Sequence, residues 1–249
     1  MNPTATTMEQ AAAFVRSRDN FLLVTHKNPD GDTLGSALAL CIALRENGKT
    51  AHLLNNPQAT ALYAPALETF TVPEYEAHHT AISLDASVPA QLQKNYDGFP
   101  IELALDHHAS HKGYAALYYV GDTASCGEVV FTLLKSLGWF VSPDVAYWLY
   151  VAAATDTGCF RYSNTTEATL QAAADLVRLG APNGDINRKF ISAKRRSRLL
   201  LEGAILGGLQ FHDNGRVVLA FITLETLERT GADEYDLDDI ANVAAQCDG

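Results

Sequence analysis

Short apolar runs that end directly in acidic or imidazole side chains recur along this chain. Residues 21–24 lead into a polar loop, residues 81–84 lead into Asp85, and residues 101–105 lead into Asp106. Short and mostly apolar runs bounded by turn-forming residues are typical of buried strands. Because helical patterns alternate with these runs, the sequence predicts an α/β fold with a parallel, doubly wound sheet.

The order of the predicted elements is that of strands joined by helices. The predicted strands lie at 21–25, 50–54, 81–84, 101–105 and 115–120, and the predicted helices at 7–17, 33–47, 125–137, 144–154 and 166–179. Three prolines between 55 and 75 favour an irregular or partly helical segment there. Further on, Asp213-Asn214-Gly215 separates two apolar runs, which predicts a β-hairpin.

The character of the chain changes after residue 186. Six Lys or Arg residues fall between 188 and 198 of an otherwise acidic chain, and the hairpin pattern follows them. We therefore expect a main domain at 1–186, a connecting helix at 187–198 and an incomplete second α/β unit at 199–249. The basic cluster is interpreted as a solvated helix face, the alternative being a cleft that attracts nucleotide phosphates.

The net charge of the chain limits the partners it can bind, and its cysteines indicate the cellular compartment. The net charge of −11 argues against a tight grip on long duplex DNA, which requires many Lys and Arg contacts to phosphates. The four cysteines lie far apart and form no CxxC pair, which favours a reducing, cytoplasmic setting. The sequence contains neither a signal-peptide pattern nor an apolar run long enough to cross a membrane, so no membrane association is expected.

Acidic and imidazole side chains cluster at the ends of the apolar segments. His26, Asp30 and Asp32 lie within seven residues, Asp85 and Asp106 follow strands, and Asp156 follows an apolar helix. Each has an ordinary alternative, such as a helix cap or a polar loop residue. Taken together, closely packed carboxylates and imidazoles suit a hard to borderline divalent cation such as Mn²⁺ or Mg²⁺. The number of donors exceeds what one ion needs, so two ions are expected.

The same residues carry a resemblance to a known family. Asp106-His107-His108 is the triplet after which the DHH phosphoesterases are named, and three further motifs occur in the family order: His26-x-x-x-Asp30-x-Asp32, then Asp85, then Asp156. The segment 155–166 most resembles the bacterial nanoRNase/pAp phosphatase branch. That branch is related to the exonuclease RecJ and, more distantly, to the family II inorganic pyrophosphatases.

The resemblance implies a role for each matching residue. His26, Asp30 and Asp85 would hold one ion, and Asp32, Asp85, His107 and Asp156 the other, with Mn²⁺ as the expected metal and Mg²⁺ as the alternative. Asp85 would bridge the two ions. His108, with Asp85, is the candidate catalytic residue, because in the family it faces the scissile phosphate.

Two features of the resemblance concern the substrate. Arg161 is a candidate phosphate or base contact, with an ordinary surface arginine as the equal alternative. Family members of this branch continue into a DHHA1 domain with a Gly-Gly-Gly-His stretch, which is absent here, so residues 199–249 are expected to be a partial DHHA1-like domain. His78, His79 and His111 are given no role.

The function that the resemblance implies is hydrolysis of short oligoribonucleotides to nucleoside 5′-monophosphates, removal of the 3′-phosphate of pAp, or both. The expected partners are therefore short RNA or pAp. Two alternatives stay open: an inorganic pyrophosphatase with the same metal ligands, and a nucleotide-binding fragment without turnover. The oligomeric state is open as well, with a homodimer as one option. Phosphate loops of the GxxxxGK[ST] type, GxGxxG fingerprints and zinc-finger spacings do not occur.

Overall fold

The computed structural model describes residues 3–237 and 240–246. The chain divides into two compact units at the bond between Ile191 and Ser192. Residues 1–2, 238–239 and 247–249 of the predicted domains, and with them Cys247 of the cysteine interpretation, lie outside the described residues. Within the described ranges, no helix combines the length and the apolar composition that a bilayer crossing requires.

The first unit is built on a parallel sheet of seven strands, which confirms the predicted α/β class. The strands are β1 (Thr4–Ala5), β2 (Phe21–Val24), β3 (Ala51–Leu54), β4 (Thr71–Val72), β5 (Thr80–Leu84), β6 (Leu103–Asp106) and β7 (Leu117–Val120). Their order across the sheet is β1-β7-β6-β5-β2-β3-β4, and every neighbouring pair is parallel. The three strands that precede the acidic motifs, β6, β5 and β2, are therefore adjacent.

Helices connect these strands and cover the sheet. They are α1 (Met8–Ser17), α2 (Gly31–Glu46), α3 (Ala64–Leu67), α4 (Cys126–Leu137), α5 (Pro143–Asp156), α6 (Glu167–Arg178) and α7 (Asn183–Ile186). The two-residue strands β1 and β4 are too short to leave a periodic pattern, which is why the sequence did not predict them.

Helix α2 carries apolar residues around most of its circumference, as is typical of a helix that is buried on all sides. It packs closely on α5. Gly35 permits this approach, since a Cβ atom there would lie 2.7 Å from the carbonyl oxygen of Trp148. The helices and one face of the sheet enclose the larger apolar core, which includes Leu23 and Leu105. The other face packs against Phe99, Ile101 and neighbouring aromatic residues. The sheet is therefore packed against apolar residues on both of its faces.

The second unit contains α8 (Arg196–Gly207), the antiparallel hairpin of β8 (Gln210–His212) and β9 (Val217–Leu219), and α9 (Leu224–Thr230). The predicted hairpin is thus present. The small apolar core of the second unit contains Leu201, Ile205 and Val243. Residues 187–198 form a π-helical turn at Asn187–Ser192 and, after a break, the start of α8.

Several cations of the basic cluster are paired inside this second unit. Lys194 and Arg198 both bind the carboxylate of Glu202, and Arg195 binds Asp233. These pairs favour the interpretation of the cluster as a solvated helix face. The assignment of residues 199–249 to a DHHA1-like domain stays a prediction.

Candidate metal centre

The order of the strands brings the separate motifs to one edge of the sheet. His26 lies two residues after β2, Asp85 directly after β5, and His107 directly after β6. Since parallel strands end at the same edge, these side chains converge although His26 and His107 are 81 positions apart in the sequence. Asp156 joins them as the last residue of α5. All six proposed metal ligands therefore meet in the first unit.

The carboxylates of Asp30 and Asp32 are held by helix α2 in different ways. Asp30 caps the helix, and its Oδ1 accepts hydrogen bonds from the backbone N–H groups of Asp32 and Thr33. Asp32 is buried in the first turn. Its oxygens accept from the backbone N–H groups of Cys126 at 2.7 Å and Gly127 at 3.0 Å. The N-terminus of α4 thus holds the Asp32 side chain in place, although burial and the nearby carboxylate of Asp85 raise the pKa of Asp32 well above its usual range.

Asp85 lies at the middle of the cluster. Its Oδ2 is 3.4 Å from Nε2 of His26, and its Oδ1 is 3.3 Å from Nε2 of His107. Nε2 of His26 is also 3.6 Å from Oδ1 of Asp30, while Nε2 of His107 lies 3.6 Å from Asp32 and 3.8 Å from Asp156. One carboxylate therefore faces two separate sets of donors.

The donor atoms fall into compact groups of three with the spacing that a cation requires. The groups are His26, Asp30 and Asp85; Asp32, His107 and Asp156; and Asp85, His107 and His108. Among the described residues, Asp85 Oδ1 and His107 Nε2 are buried without a hydrogen-bond partner. Buried polar atoms without partners are rare in folded proteins. Mixed oxygen and nitrogen donors around such atoms fit a divalent cation of the Mn²⁺ class.

The close packing of carboxylates raises the pKa values of several groups in the cluster. Burial opposes the charged form of His26, but its bonds to Asp30 and Asp85 outweigh burial and raise its pKa to about 11. In the same way, Asp85 and Asp32 overcome burial and raise the pKa of His107 to about 10. Burial, assisted by neighbouring carboxylates, raises the pKa of Asp156 to about 6. In the metal-free protein, protons on the two imidazoles therefore compensate part of the negative charge of the cluster.

The backbone at Asp85 adopts the left-handed conformation, with φ of 58°. Asp and Asn tolerate this region better than most residues, but it still carries a conformational cost. The backbone N–H of Asp85 donates to the carbonyl oxygen of Leu105 at 2.9 Å, which holds the turn against β6. The sheet therefore fixes the direction of the Asp85 side chain.

Asp106 acts within the protein rather than toward the cation groups. Its Oδ1 accepts from Nδ1 of His108 at 2.8 Å, and its Oδ2 accepts from Nδ1 of His111 at 2.9 Å. Burial opposes the charge, yet these bonds lower the pKa of Asp106 well below its usual range. The bond to Asp106 in turn raises the pKa of His108. No role was predicted for His111, and only its position three residues after the triplet could have indicated one.

The turn after Asp156 has an unusual backbone. Gly158, Cys159 and Phe160 all have positive φ, and a Cβ atom on Gly158 would overlap the ring of Tyr162. Nε of Arg161 donates to the carbonyl oxygen of Gly158 at 2.6 Å. Arg161 is exposed and does not belong to the lining of the cavity at the cluster. Its predicted contact with substrate therefore stays a prediction.

A cavity of about 220 Å³ opens beside the cluster. It is lined by His26, Lys27, Asn28, Asp30, Asp85, Gln91, His108 and Asp156. Five of these residues are proposed ligands or the candidate catalytic histidine. Lys27, Asn28 and Gln91 were not singled out from the sequence.

Comparisons with known proteins agree with this geometry. Residues 20–155 match the DHH family, N-terminal domain. The chain is 29% identical over 233 residues to the bifunctional oligoribonuclease and PAP phosphatase NrnA of Thermus thermophilus, covering 91% of this chain and 69% of that protein. It is 26% identical over 219 residues to the protein of the same name from Bacillus subtilis, covering 86% and 69%.

Two further similarities concern an alternative function and the fold. The chain is 27% identical over 161 residues to a probable manganese-dependent inorganic pyrophosphatase of Staphylococcus saprophyticus, covering 61% of this chain and 52% of that protein. An exopolyphosphatase-related protein from Bacteroides fragilis has the same fold, with a TM-score of 0.86 and 22% identity over 96% of this chain and 76% of its own.

Proposed function

Because the chain belongs to the DHH family, we propose that it is a two-metal phosphoesterase acting on very short nucleotide substrates. Its reactions would be the hydrolysis of short oligoribonucleotides to nucleoside 5′-monophosphates, in the manner of an exonuclease, and the removal of the 3′-phosphate of pAp. The observation that carries the proposal is the position of Asp85, whose two oxygens face different imidazoles, each beside another carboxylate. One carboxylate shared between two donor sets is the arrangement that a pair of ions requires.

We assign the ligands as the resemblance implies. His26, Asp30 and Asp85 would hold one ion, and Asp32, Asp85, His107 and Asp156 the other, with Mn²⁺ preferred over Mg²⁺ because imidazoles take part. The chemistry that two bound divalent cations supply is polarisation of phosphoryl oxygens and a lowered pKa of water. The protein's contribution is to hold these side chains in place before substrate arrives.

His108 is the proposed catalytic residue outside the ligand set. Its Nδ1 is fixed by Asp106, and it lines the cavity with nearly half of its side chain exposed. The bond to Asp106 raises the pKa of His108 and so favours the imidazole that carries a proton on both nitrogens. Its Nε2 is then available to donate a hydrogen bond to a phosphate oxygen and to stabilise developing charge there. Arg161 is the proposed second contact, to a phosphate or a base.

The choice of substrate is supported by the extent of the similarities. The two relatives named as oligoribonucleases and PAP phosphatases align with 91% and 86% of this chain, whereas the pyrophosphatase aligns with 61%. We therefore prefer nucleotide substrates and keep pyrophosphate as the alternative. The described cysteines, Cys41, Cys126 and Cys159, are free thiols, which is consistent with the proposed cytoplasmic location.

The test is a direct competition between substrates. The metal-free protein is loaded with Mn²⁺ and offered a ribodinucleotide, pAp and pyrophosphate in parallel, with release of nucleoside 5′-monophosphate or inorganic phosphate as the readout. We expect turnover of the dinucleotide, of pAp, or of both, and little of pyrophosphate. Preferential hydrolysis of pyrophosphate would select the alternative. Nucleotide binding without any turnover would instead indicate a binding protein.

A further inference from the structure

The cavity beside the cluster contains one residue with a permanent positive charge. Its lining includes three residues outside the proposed ligand set and His108, namely Lys27, Asn28 and Gln91. The remaining lining carries the carboxylates of Asp30 and Asp85 and further acidic or imidazole groups. A phosphate ester that enters this cavity is an anion, so the residues that can receive it beyond the cations decide its affinity.

Two of the three residues already use their side-chain oxygens within the protein. The amide oxygen of Asn28 accepts a hydrogen bond from the side-chain nitrogen of Gln58. The amide oxygen of Gln91 accepts from the backbone N–H groups of Ser87 at 2.7 Å and Val88 at 3.3 Å. Asn28 and Gln91 therefore hold the loops that form the rim of the cavity.

The backbone of Lys27 is held on both sides. Its N–H donates to the carbonyl oxygen of Gln91 at 2.7 Å, and its carbonyl oxygen accepts from Nδ1 of His26 at 2.8 Å. A β-bridge between His26 and Leu92 adds a further constraint on this turn. The base of the Lys27 side chain is thus fixed beside the cluster, while its four-carbon stem is free to follow a ligand.

Lys27 is an exposed residue, and its ammonium group has no partner among the described residues. Among residues 3–237 and 240–246, Lys27 takes part in no ion pair and no side-chain hydrogen bond. By contrast, Lys49 donates to the carbonyl oxygens of Arg16 and Arg18, and Lys194 binds Glu202. A cation that extends from a fixed backbone beside an acidic cavity, without a partner among the described residues, is available to an anionic ligand.

We propose that Lys27 is a substrate-binding residue that contacts a phosphate group of the nucleotide, an inference that rests on the proposed function for the nature of the substrate. Its role is recognition: the ammonium group compensates the charge of a phosphate and favours phosphorylated ligands over the corresponding nucleosides. The contact is charge-assisted and partly solvated, which corresponds to about a tenfold contribution to affinity.

The test compares AMP with adenosine as probes of the Mn²⁺-loaded protein by calorimetry. Lys27→Met should weaken AMP binding about tenfold and leave adenosine binding unchanged, while Lys27→Arg should retain most of the affinity for AMP. Lys94→Met is the matched control, since this substitution also removes one lysine charge from an exposed position. Lys94 lies outside the lining of the cavity, so its loss should not affect AMP binding. Lys27→Gln provides a second neutral variant, and a thermal melt of each variant verifies folding.

The outcomes separate this inference from the proposed function. If the wild-type protein hydrolyses no nucleotide, the proposed function fails, yet the AMP comparison still decides the role of Lys27. If the wild-type protein turns over a dinucleotide, Lys27→Met should raise KM and leave kcat nearly unchanged. Equal affinity of wild type and Lys27→Met for AMP overturns the inference, as does equal weakening by Lys94→Met or an absence of AMP binding to the wild type.

Discussion

The two proposed halves of the metal centre share Asp85 but are supported by different parts of the fold. The outer half contains His26 and Asp30, and the side chain of Asp30 is 54% exposed. The inner half contains Asp32, His107 and Asp156, and the side chain of Asp32 is only 1% exposed. Two carboxylates that are two positions apart in sequence therefore experience opposite environments.

The contacts explain this difference. Asp30 is held by N–H groups of its own helix, which is a local contact within three residues. Asp32 is held by N–H groups of Cys126 and Gly127, which are more than 90 positions away and open helix α4. Groups locked by packing and by hydrogen bonds from other elements hold their geometry more precisely than loop groups do. We therefore expect the inner half to bind its ion more tightly.

The largest effect is expected from Asp85→Asn, which acts on both halves at once. Asn removes the charge that both donor sets share, and it tolerates the left-handed backbone at this position, so the fold should be retained. Losing several kcal/mol of charge stabilisation corresponds to a decrease in kcat/KM of roughly 10³-fold or more. Metal analysis should show fewer than two Mn²⁺ per chain. Unchanged turnover with two ions bound would contradict the shared role.

A comparison of Asp32→Asn with Asp30→Asn tests the difference between the halves directly. Asn at position 30 can still cap α2, so this variant should lose activity by about 10- to 100-fold and recover in excess Mn²⁺. At position 32, the amide nitrogen of Asn would face the N–H groups that Asp32 now accepts from. Asp32→Asn should therefore lose more activity, without recovery. Equal losses with equal recovery in a Mn²⁺ titration would show that burial does not distinguish the halves.

Asp156→Asn should have opposite effects on stability with and without metal. The pKa of Asp156 is raised in the folded protein from its ordinary value of 3.8 to about 6. Its charge therefore destabilises the metal-free fold as pH rises from 4 to 6, and the penalty is complete above pH 6. Allowing for partial exposure, removal of the charge should stabilise the metal-free protein by about 1–2 kcal/mol, or roughly 2–6 °C in Tm.

Thermal melts in EDTA at pH 4 and pH 8 measure this effect, and melts in Mn²⁺ provide the contrast. The gain in Tm should appear at pH 8, shrink at pH 4, and reverse in Mn²⁺, because the variant has lost a ligand of the inner half. A variant that is less stable than wild type in EDTA at pH 8 would contradict the destabilising effect assigned to the buried charge of Asp156.

The smallest effect is expected from Arg161→Ala, because Arg161 lies outside both halves of the metal centre, five residues after Asp156. Part of the Arg161 guanidinium is engaged with the carbonyl oxygen of Gly158, and the residue is exposed. If its remaining N–H groups contact a phosphate or base, KM for a dinucleotide should rise by about two- to fivefold with kcat nearly unchanged. Arg178→Ala, which alters an exposed arginine paired with Asp175 on α6, is the control. Identical kinetics of both variants would assign Arg161 to the surface.

Many of the strands and helices could be predicted from the local hydrophobic pattern of the sequence. The apolar runs at β2, β5 and β6, the helix α2 and the hairpin of β8 and β9 were predicted close to their observed bounds, because burial imposes a local periodicity on the sequence. The strands β1 and β4 were missed, since two residues are too few to show a pattern. Asp156 was predicted to follow its helix and instead ends it.

The contacts of individual side chains were less predictable. His111 was given no role, yet it is buried and binds Asp106. The anchoring of Asp32 by Cys126 and Gly127 joins residues too distant in sequence for any spacing rule. Lys27 was not singled out from the sequence. Only its backbone bond to Gln91 and the adjacent cavity support the function proposed for it.

The chemical character of the centre was predictable from the sequence alone, because carboxylates and imidazoles follow buried strands in the order of the DHH motifs. Which of these groups meet, and which of them are buried, depends on contacts between distant elements. The distances among His26, Asp85 and His107 are set by the lateral order of β2, β5 and β6 in the sheet. That order results from the packing of the whole domain, and no local stretch of the chain encodes it.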